Sequence, residues 1–313
     1  MSQTETSPKG HRKEKIMKFL EEMLEKQYGA EKTKEIINGY QTKRKTTLRV
    51  NTIKGNIEEI KNKLEKSKIE YEEVPWSKEA LIIKNADEKS IQEMNIYQDG
   101  KIYMQSLSSM LPPIILEPKE GIDILDMAAA PGGKTTQIAA LTNNKAHITA
   151  CEKNKIRAER LKYNVDKQGA TCVFIMPKDS RFIDNFFSFD QILLDAPCSG
   201  SGTLDYNDVN IEKYFTEQLI ERSSKTQKTL LKKAINLLKP GHEMVYSTCS
   251  ILSCENEDVV ESILKDEKIE IVPISFEGIE SLPVLPTKIS GTLCVCPTEL
   301  YEGFFVAKIR KEL

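Results

Sequence analysis

Apolar residues recur at helical spacing from about Lys13 to Tyr40, at Ile16, Phe19, Leu20, Met23, Leu24, Ile36 and Ile37. This predicts a small helical region at the front of the chain. From Thr46 the period changes. The segment TLRVN reads as a strand, Ile57 to Leu64 as an amphipathic helix, and Tyr71 to Val74 and Ala80 to Lys84 as further strands. That order predicts a small α+β module packed beside a larger domain. A connecting stretch runs from Glu93 to Pro113, and Pro112-Pro113 marks the boundary, giving expected domains 1–112 and 113–313.

Beyond Pro118 the pattern becomes a regular alternation. Strands are predicted at Ile122 to Asp126, His147 to Cys151, Cys172 to Met176, Gln191 to Leu194 and Glu243 to Ser247. Helices are predicted at Lys134 to Leu141, Lys155 to Lys167, Thr216 to Leu238 and Glu255 to Leu264, with a turn at Pro240-Gly241. Two last strands fall at Ile269 to Val272 and Gly303 to Ile309. Strands alternating with helices at this spacing predict an α/β fold, a parallel, doubly wound sheet covered on both faces.

Composition adds bounds rather than identity. Hydrophobic and charged fractions of 39% and 29% are those of an ordinary globular protein. No stretch is apolar for long enough to span a bilayer, and the first fifteen residues lack the apolar core of a signal peptide, so a cytoplasmic protein is expected. Seven cysteines without a CxxC pair suggest neither a disulfide framework nor a zinc ribbon. The three histidines, His11, His147 and His242, lack ligand spacing, so no metal site is expected. The net charge of -2 does not point to nucleic acid, but basic residues cluster at Lys43, Arg44, Lys45 and Arg49, and again from Lys153 to Lys162. Such runs are first read as solvated faces.

The chemistry gathers at predicted strand ends, where ligands bind in doubly wound sheets. The first strand of the alternation runs into Asp126-Met-Ala-Ala-Ala-Pro-Gly-Gly-Lys134-Thr135. Small residues there let the backbone approach a ligand, and the following helix offers free N–H groups. The loop matches neither GxGxxG nor GxxxxGK[ST], which counts against a dehydrogenase or a nucleoside triphosphatase. The next strand ends at Glu152, placed to accept hydrogen bonds from ribose hydroxyls, and Asp179 follows the third strand, where it can meet an adenine edge. Together these acids favour an adenosine-containing cofactor.

Two cysteines share that rim. One strand runs into Asp195-Ala-Pro-Cys198-Ser-Gly-Ser-Gly202 and the next into Ser247-Thr248-Cys249-Ser250. A free cysteine is usually a small buried hydrophobe, and Cys151 and Cys172 are read that way. Two thiols beside an acid suit a particular reaction. Carbon 5 of cytosine is a poor nucleophile until a thiolate adds to carbon 6, after which it can attack the methyl of S-adenosylmethionine. The ring nitrogen N3 must gain a proton or strong hydrogen bond, which Asp195 can supply, and Lys134 can favour the thiolate. The residues alone do not rank Cys249 above Cys198.

The segments DMAAAPGGKTT, ACEKNKIRAERL, DQILLDAPCSGSG, VYSTCS and EGFFVAKIRK, with LRVNTIK and GKIYMQSLSSMLPP upstream, resemble the Nop/Sun family of RNA (cytosine-5)-methyltransferases in the right order. The resemblance implies a Rossmann-like methyltransferase sheet preceded by an RNA-recognition-like module. It implies S-adenosyl-L-methionine as cofactor, and tRNA or rRNA as the partner to be methylated. By the same resemblance Cys249 is the nucleophile, Cys198 assists release of the methylated base, Asp195 holds the cytosine and Lys134 lines the active site. Ala129, Ala130, Pro131, Gly132, Gly133, Lys134, Glu152, Arg157, Asp179 and Asp195 would surround the cofactor, and Lys43, Arg44, Lys45, Arg49 and Asn51 would contact RNA phosphates. Two positions depart from the usual pattern. Ala128 stands where cysteine is frequent, and Cys294 where arginine is common, which implies weaker RNA binding if that arginine meets RNA.

Two other readings compete. A non-catalytic RNA-binding or ribosome-assembly factor could keep the same shell, but retention of both cysteines, Lys134 and Asp195 argues against it. A methyltransferase of amines or protein side chains needs no thiolate and commonly carries Pro-Pro-aromatic where this chain has Asp195-Ala-Pro-Cys198. The identity of the RNA is not written in the sequence.

Overall fold

The computed structural model describes residues 8–265 and 268–313. The polar first few residues read from sequence as disordered, and they lie outside that range. Helix α1 (Pro8–Gln41) is two helices end to end, because Gly29 leaves the helical region at φ 79°. The small module follows as β1 (Thr47–Val50), α2 (Ile57–Lys66), β2 (Tyr71–Val74), β3 (Ser77–Ile83), the short α3 (Glu88–Gln92) and α4 (Asn95–Gln98), and β4 (Ile102–Met104). Its four strands form an antiparallel sheet in the order β2-β3-β1-β4. Helix α2 begins where Asn56 accepts the Glu59 N–H at 2.9 Å, and its Ile60 and Leu64 fall on one buried face.

Alternation along the strands decides what each face of this sheet touches. Leu48, Val50, Leu81 and Ile83 join Ile60 and Leu64 in the module's own core. Ala80 and Ile82, one residue out of step, belong instead to the core of the larger domain. The module is therefore covered on both faces, and its second face is the seam between domains. Next, α5 (Leu107–Leu116) buries Leu107, Met110 and Leu111 in the larger domain's core. The division expected at 112/113 falls inside this helix, with Pro112 and Pro113 both within it.

The larger domain comprises β5 (Asp123–Asp126), α6 (Gly133–Leu141), β6 (His147–Cys151), α7 (Lys155–Gln168), β7 (Val173–Met176), β8 (Phe189–Asp195), α8 (Ile211–Tyr214), α9 (Glu217–Leu237), β9 (Leu238–Thr248), α10 (Glu257–Leu264), β10 (Ile269–Val272), β11 (Val284–Leu285), β12 (Leu293–Val295) and β13 (Phe304–Lys311). Strands β7-β6-β5-β8-β9 run parallel, as expected. The rest of the sheet does not. Strand β13 is antiparallel to β9, and β10 and β12 in turn pair antiparallel with β13, so the whole sheet is mixed. The expected turn at Pro240-Gly241 lies inside β9. Phe189 faces Leu238 whereas Gln191 faces Glu243, so the intervening residues bulge out around Gly241, at φ 76°.

Period-2 alternation splits the apolar residues of the sheet. Ile124, Ile148, Leu193 and Val245 pack with α5, α6 and α7 on one face. Leu125, Ile192, Leu194, Met244 and Tyr246 pack with α1, α9 and α10 on the other. The connections from β5 lead to β6 and β7 on one side, and β8 and β9 lie on the other. The crevice at this switch point opens above the carboxyl ends of β5 and β8.

Candidate active site

Strand β5 ends on Asp126, which is buried and accepts the Thr135 hydroxyl at 2.7 Å. Burial pushes its carboxyl up to about 6, the Thr135 bond opposing and Asp195 adding to the rise. The chain then passes through Ala128, Ala129 and Ala130 to Gly132, at φ 109°, where a Cβ would stand 3.0 Å from Leu161 Cδ1. Only glycine fits both that conformation and that approach. Helix α6 starts at the next residue, its first N–H groups at the crevice.

Two clefts meet at Ala128. The smaller, about 390 Å³, is lined by Glu152, Arg157, Asp179 and Pro197 among others. Glu152 is buried at the end of β6, with Oε1 accepting the Asn154 N–H at 2.8 Å and Oε2 3.3 Å from Arg157 Nη1. Arg157 also donates to the Ala130 carbonyl at 2.9 Å, tying the β6 end to the loop after β5. Asp179 is gripped by Arg181 at 2.6 Å, which holds its carboxyl below the usual range. The side-chain-poor wall and the acids at successive strand ends fit an adenosine-containing cofactor.

The larger cleft, about 980 Å³, contains the reactive groups. Lys134, Asp195, Cys249, Ser109 and Phe304 all line it. Lys134 reaches back from the first turn of α6 to Asp195 at 2.8 Å and donates to Ser109 Oγ at 2.7 Å. Burial opposes the ammonium, but Asp195 outweighs it and holds the lysine above its ordinary pKa. The second Asp195 oxygen accepts the Ser247 hydroxyl at 2.8 Å, so the carboxylate is fixed from two sides. Cys249 and Cys198 are both half-buried free thiols, their sulfurs 3.0 Å apart. Cys249 faces the cleft. Cys198 stands behind it, its thiol raised well above the ordinary value by the contact with Cys249 and by burial. Glycine again permits the closure: Gly202 donates to the Cys249 carbonyl at 3.0 Å and lies so near Gly303 that a Cβ would stand 1.9 Å from its oxygen.

This geometry matches known proteins. A family model described as 16S rRNA methyltransferase RsmB/F matches residues 113–310, and the ferredoxin-like domain model of RsmF/B-like methyltransferases matches residues 18–88. The tRNA (cytosine(49)-C(5))-methyltransferase of Pyrococcus abyssi is 38% identical over 277 residues, covering 85% of this chain and 88% of that enzyme. The chain belongs to the Nop/Sun family. Ribosomal RNA small subunit methyltransferase F of Shewanella sp. (strain ANA-3) is 36% identical over 275 residues, and here the match spans 85% of this chain but 56% of the relative. The crystal structure of a methyltransferase homologue from Pyrococcus horikoshii superposes with a TM-score of 0.82 at 32% identity, over 98% of this chain and 100% of the other. NSun6 from Pyrococcus horikoshii, solved with SFG, an S-adenosylmethionine analogue, shares the fold, with a TM-score of 0.82 at 24% identity over 93% and 97% of the two chains. As a Nop/Sun protein this chain is an S-adenosylmethionine-dependent RNA (cytosine-5)-methyltransferase.

Two expected RNA contacts of this Nop/Sun chain are corrected by the fold. Arg49 and Asn51 are buried. Arg49 alternates with Leu48 and Val50 and so points into the seam, where it donates to Gln105 Oε1, the Gly133 carbonyl and Thr136 Oγ1 at 3.0 to 3.3 Å. Burial pushes its guanidinium down to about 10. Asn51 donates to the carbonyls of Gly100 and Gln168, both at 2.8 Å. Neither can meet a phosphate as placed. Lys43 is exposed, and Arg44 and Lys45 line a third cleft, about 710 Å³, that shares Met104, Gln105, Ser106 and Glu302 with the cleft of Cys249. Cys294 is buried against Tyr28 of α1, with the hydroxyl 3.7 Å from its sulfur.

Sequence reasoning missed Ser109 and Glu255. Ser109 carries no motif signal of its own, because only the folded α5 brings it to Lys134. Glu255 stands six residues beyond Cys249 on the turn before α10, where it reads as an ordinary helix-start acid.

Proposed function

We propose that Cys249 attacks carbon 6 of a tRNA cytosine, that Cys198 assists release of the methylated base, and that the Lys134–Asp195 pair holds the ring. The placement of Cys249 alone of the two thiols on the cleft shared with Lys134 and Asp195 carries this reading. Ala129 to Lys134, Glu152, Arg157, Asp179 and Asp195 hold the cofactor, which supplies an electrophilic methyl when bound. The thiolate of Cys249 forms a bond to carbon 6, and the electron pair of the 5,6 double bond becomes available at carbon 5. The Lys134 ammonium, braced by Asp195, hydrogen-bonds the N3 edge as charge builds there. After methyl transfer the carbon-5 proton passes to solvent in the open cleft, the electron pair of that C–H bond re-forms the 5,6 double bond, and the carbon 6–sulfur bond breaks with its pair returning to Cys249 as thiolate.

The likeness to the Pyrococcus abyssi tRNA enzyme, 38% identical over 277 residues, supports tRNA as the substrate class. Lys43, Arg44 and Lys45 lead RNA toward the cleft, with the target base swung out of its stack to reach Cys249. A cytoplasmic site of action accords with such substrates. No helix among the described residues is long and apolar enough to cross a membrane, and among them no group of three or more His, Cys, Asp or Glu could hold a metal.

Transfer of labelled methyl to unmethylated total RNA, followed by bisulfite sequencing, tests the substrate. A protected cytosine in tRNA that requires Cys249 is expected, and a protected cytosine in rRNA alone would overturn the tRNA assignment. For the mechanism, Cys198→Ser is expected to trap a covalent RNA–protein adduct on a denaturing gel, and Cys249→Ser to give none. Equal, adduct-free loss in both variants would refute the division of roles.

A further inference from the structure

One buried carboxylate takes no part in those steps and yet touches both loops that carry the thiols. Glu255 is fully buried. One of its oxygens accepts the backbone N–H of Ser199 at 2.7 Å and the Gln227 amide at 3.3 Å. The other accepts the hydroxyls of Ser199 and of Ser250, the latter at 2.7 Å. Ser199 follows Cys198 and Ser250 follows Cys249, so one side chain ties together the two loops that carry the sulfurs. Among the described residues no lysine, arginine or histidine forms an ion pair with it.

A clamp between two loops does not need a charge. A buried carboxylate without a countercharge is costly, and four donors compensate it only in part. What the charge does depends on its neighbours. Glu255 makes two of its four bonds to Ser199, the neighbour of Cys198, and is buried away from the cleft that Cys249 lines, while the Tyr246 hydroxyl donates to the Glu255 carbonyl at 2.6 Å. Cys249 touches Cys198 at 3.0 Å and lines one cleft with Lys134, Asp126 and Asp195, the last paired with the lysine at 2.8 Å. The acid thus lies on the Cys198 side of the sulfur pair and the lysine on the Cys249 side.

We infer that Glu255 sorts the two touching thiols, its charge keeping Cys198 protonated so that the thiolate resides on Cys249 beside Lys134. Glu255 is a positioning residue, acting through the cysteines rather than on the base. The inference rests on the proposed mechanism for its catalytic meaning, but its physical content is a difference in reactivity between two sulfurs.

Limited alkylation of the full chain with iodoacetamide, carried out across a range of pH and mapped by peptide mass spectrometry, measures that difference without methyl transfer. In the wild type Cys249 is expected to react first and at lower pH than Cys198. Glu255→Gln is expected to raise the Cys198 to Cys249 labelling ratio at neutral pH about tenfold, one pKa unit of relative stabilisation. Glu255→Asp, which keeps the charge, is expected to retain the wild-type order of labelling. In turnover, Glu255→Gln should lower kcat with little change in the KM for RNA. Wild-type profiles that coincide for the two cysteines would overturn the inference even if the glutamine variant failed to fold. So would an unchanged labelling ratio in a folded Glu255→Gln protein. Methyl transfer surviving in Cys249→Ser would instead remove the covalent mechanism while leaving the thiol difference intact, so the two failures are distinct.

Discussion

The strand-end rim and the seam between the domains each bury a cation, and they use it in opposite ways. At the rim, Lys134 keeps an ionic partner, Asp195, 2.8 Å away and an open cleft in front of it. At the seam, Arg49 is surrounded by neutral acceptors, an amide oxygen, a carbonyl and a hydroxyl, and faces no cleft comparable to that of Cys249. A charge held for chemistry is paired so that it persists at the reacting atoms. A charge held for architecture spends its donors on joining two pieces of backbone. Arg49 joins β1 to the first turn of α6, so the small module braces the helix start that follows the loop after β5.

That contrast can be broken in order of expected effect. At the rim, Cys249→Ser should reduce methyl transfer by roughly 10³-fold or more, measured as turnover with saturating cofactor. Lys134→Met should lower kcat by about 10²-fold while changing cofactor affinity far less, measured by single-turnover kinetics beside equilibrium binding. A larger loss of cofactor binding than of turnover would make Lys134 a binding residue only.

Asp126 sharpens the comparison through pH. Its carboxyl is raised in the folded chain to about 6 from 3.8, so the folded state favours the protonated form. The stability this gives is fully present below the unfolded value and is lost as pH rises through about 6. Denaturant melts of Asp126→Asn against wild type should therefore drift by about 2 kcal/mol in the variant's favour between pH ~4 and ~7. A constant difference would show that Asp126 is not held in the state its burial implies.

At the seam, Arg49→Met should cost about 1–3 kcal/mol of stability by leaving its acceptors unpaired, with the salt dependence of RNA binding unchanged. A reduced salt slope would restore Arg49 as a phosphate contact. The smallest effect belongs to the exposed end of the basic cluster. Lys43→Ala should weaken RNA binding a few-fold and lower the salt slope by about one, uniformly across sequences.

Much of this architecture is written in local patterns. The period-2 run TLRV, the 3.6-period run from Ile57 and the strands of the parallel sheet lie where alternation predicts them. So do the strand ends that present Glu152, Asp195 and Cys249, because a strand's length and the small residues after it are local properties. The bulge at Pro240-Gly241 read as a turn because both have the same local signature, and only pairing with β8 carries the strand through it. Strands β11 and β12 are too short to announce themselves.

The sequence by itself determined which chemical groups the chain carries and at which strand ends they stand. Contact between those groups was decided by tertiary structure: the 3.0 Å approach of Cys198 to Cys249, the reach of Lys134 to Asp195, and the buried Glu255 beneath both thiol loops. The same holds for Arg49, whose charge suggested solvent until Gln105 and the first turn of α6 covered its face. The physical reason is that periodicity reports which face of an element a residue occupies. What lies against that face, and therefore whether a charge meets water, an ion or a carbonyl, depends on elements far away in the chain.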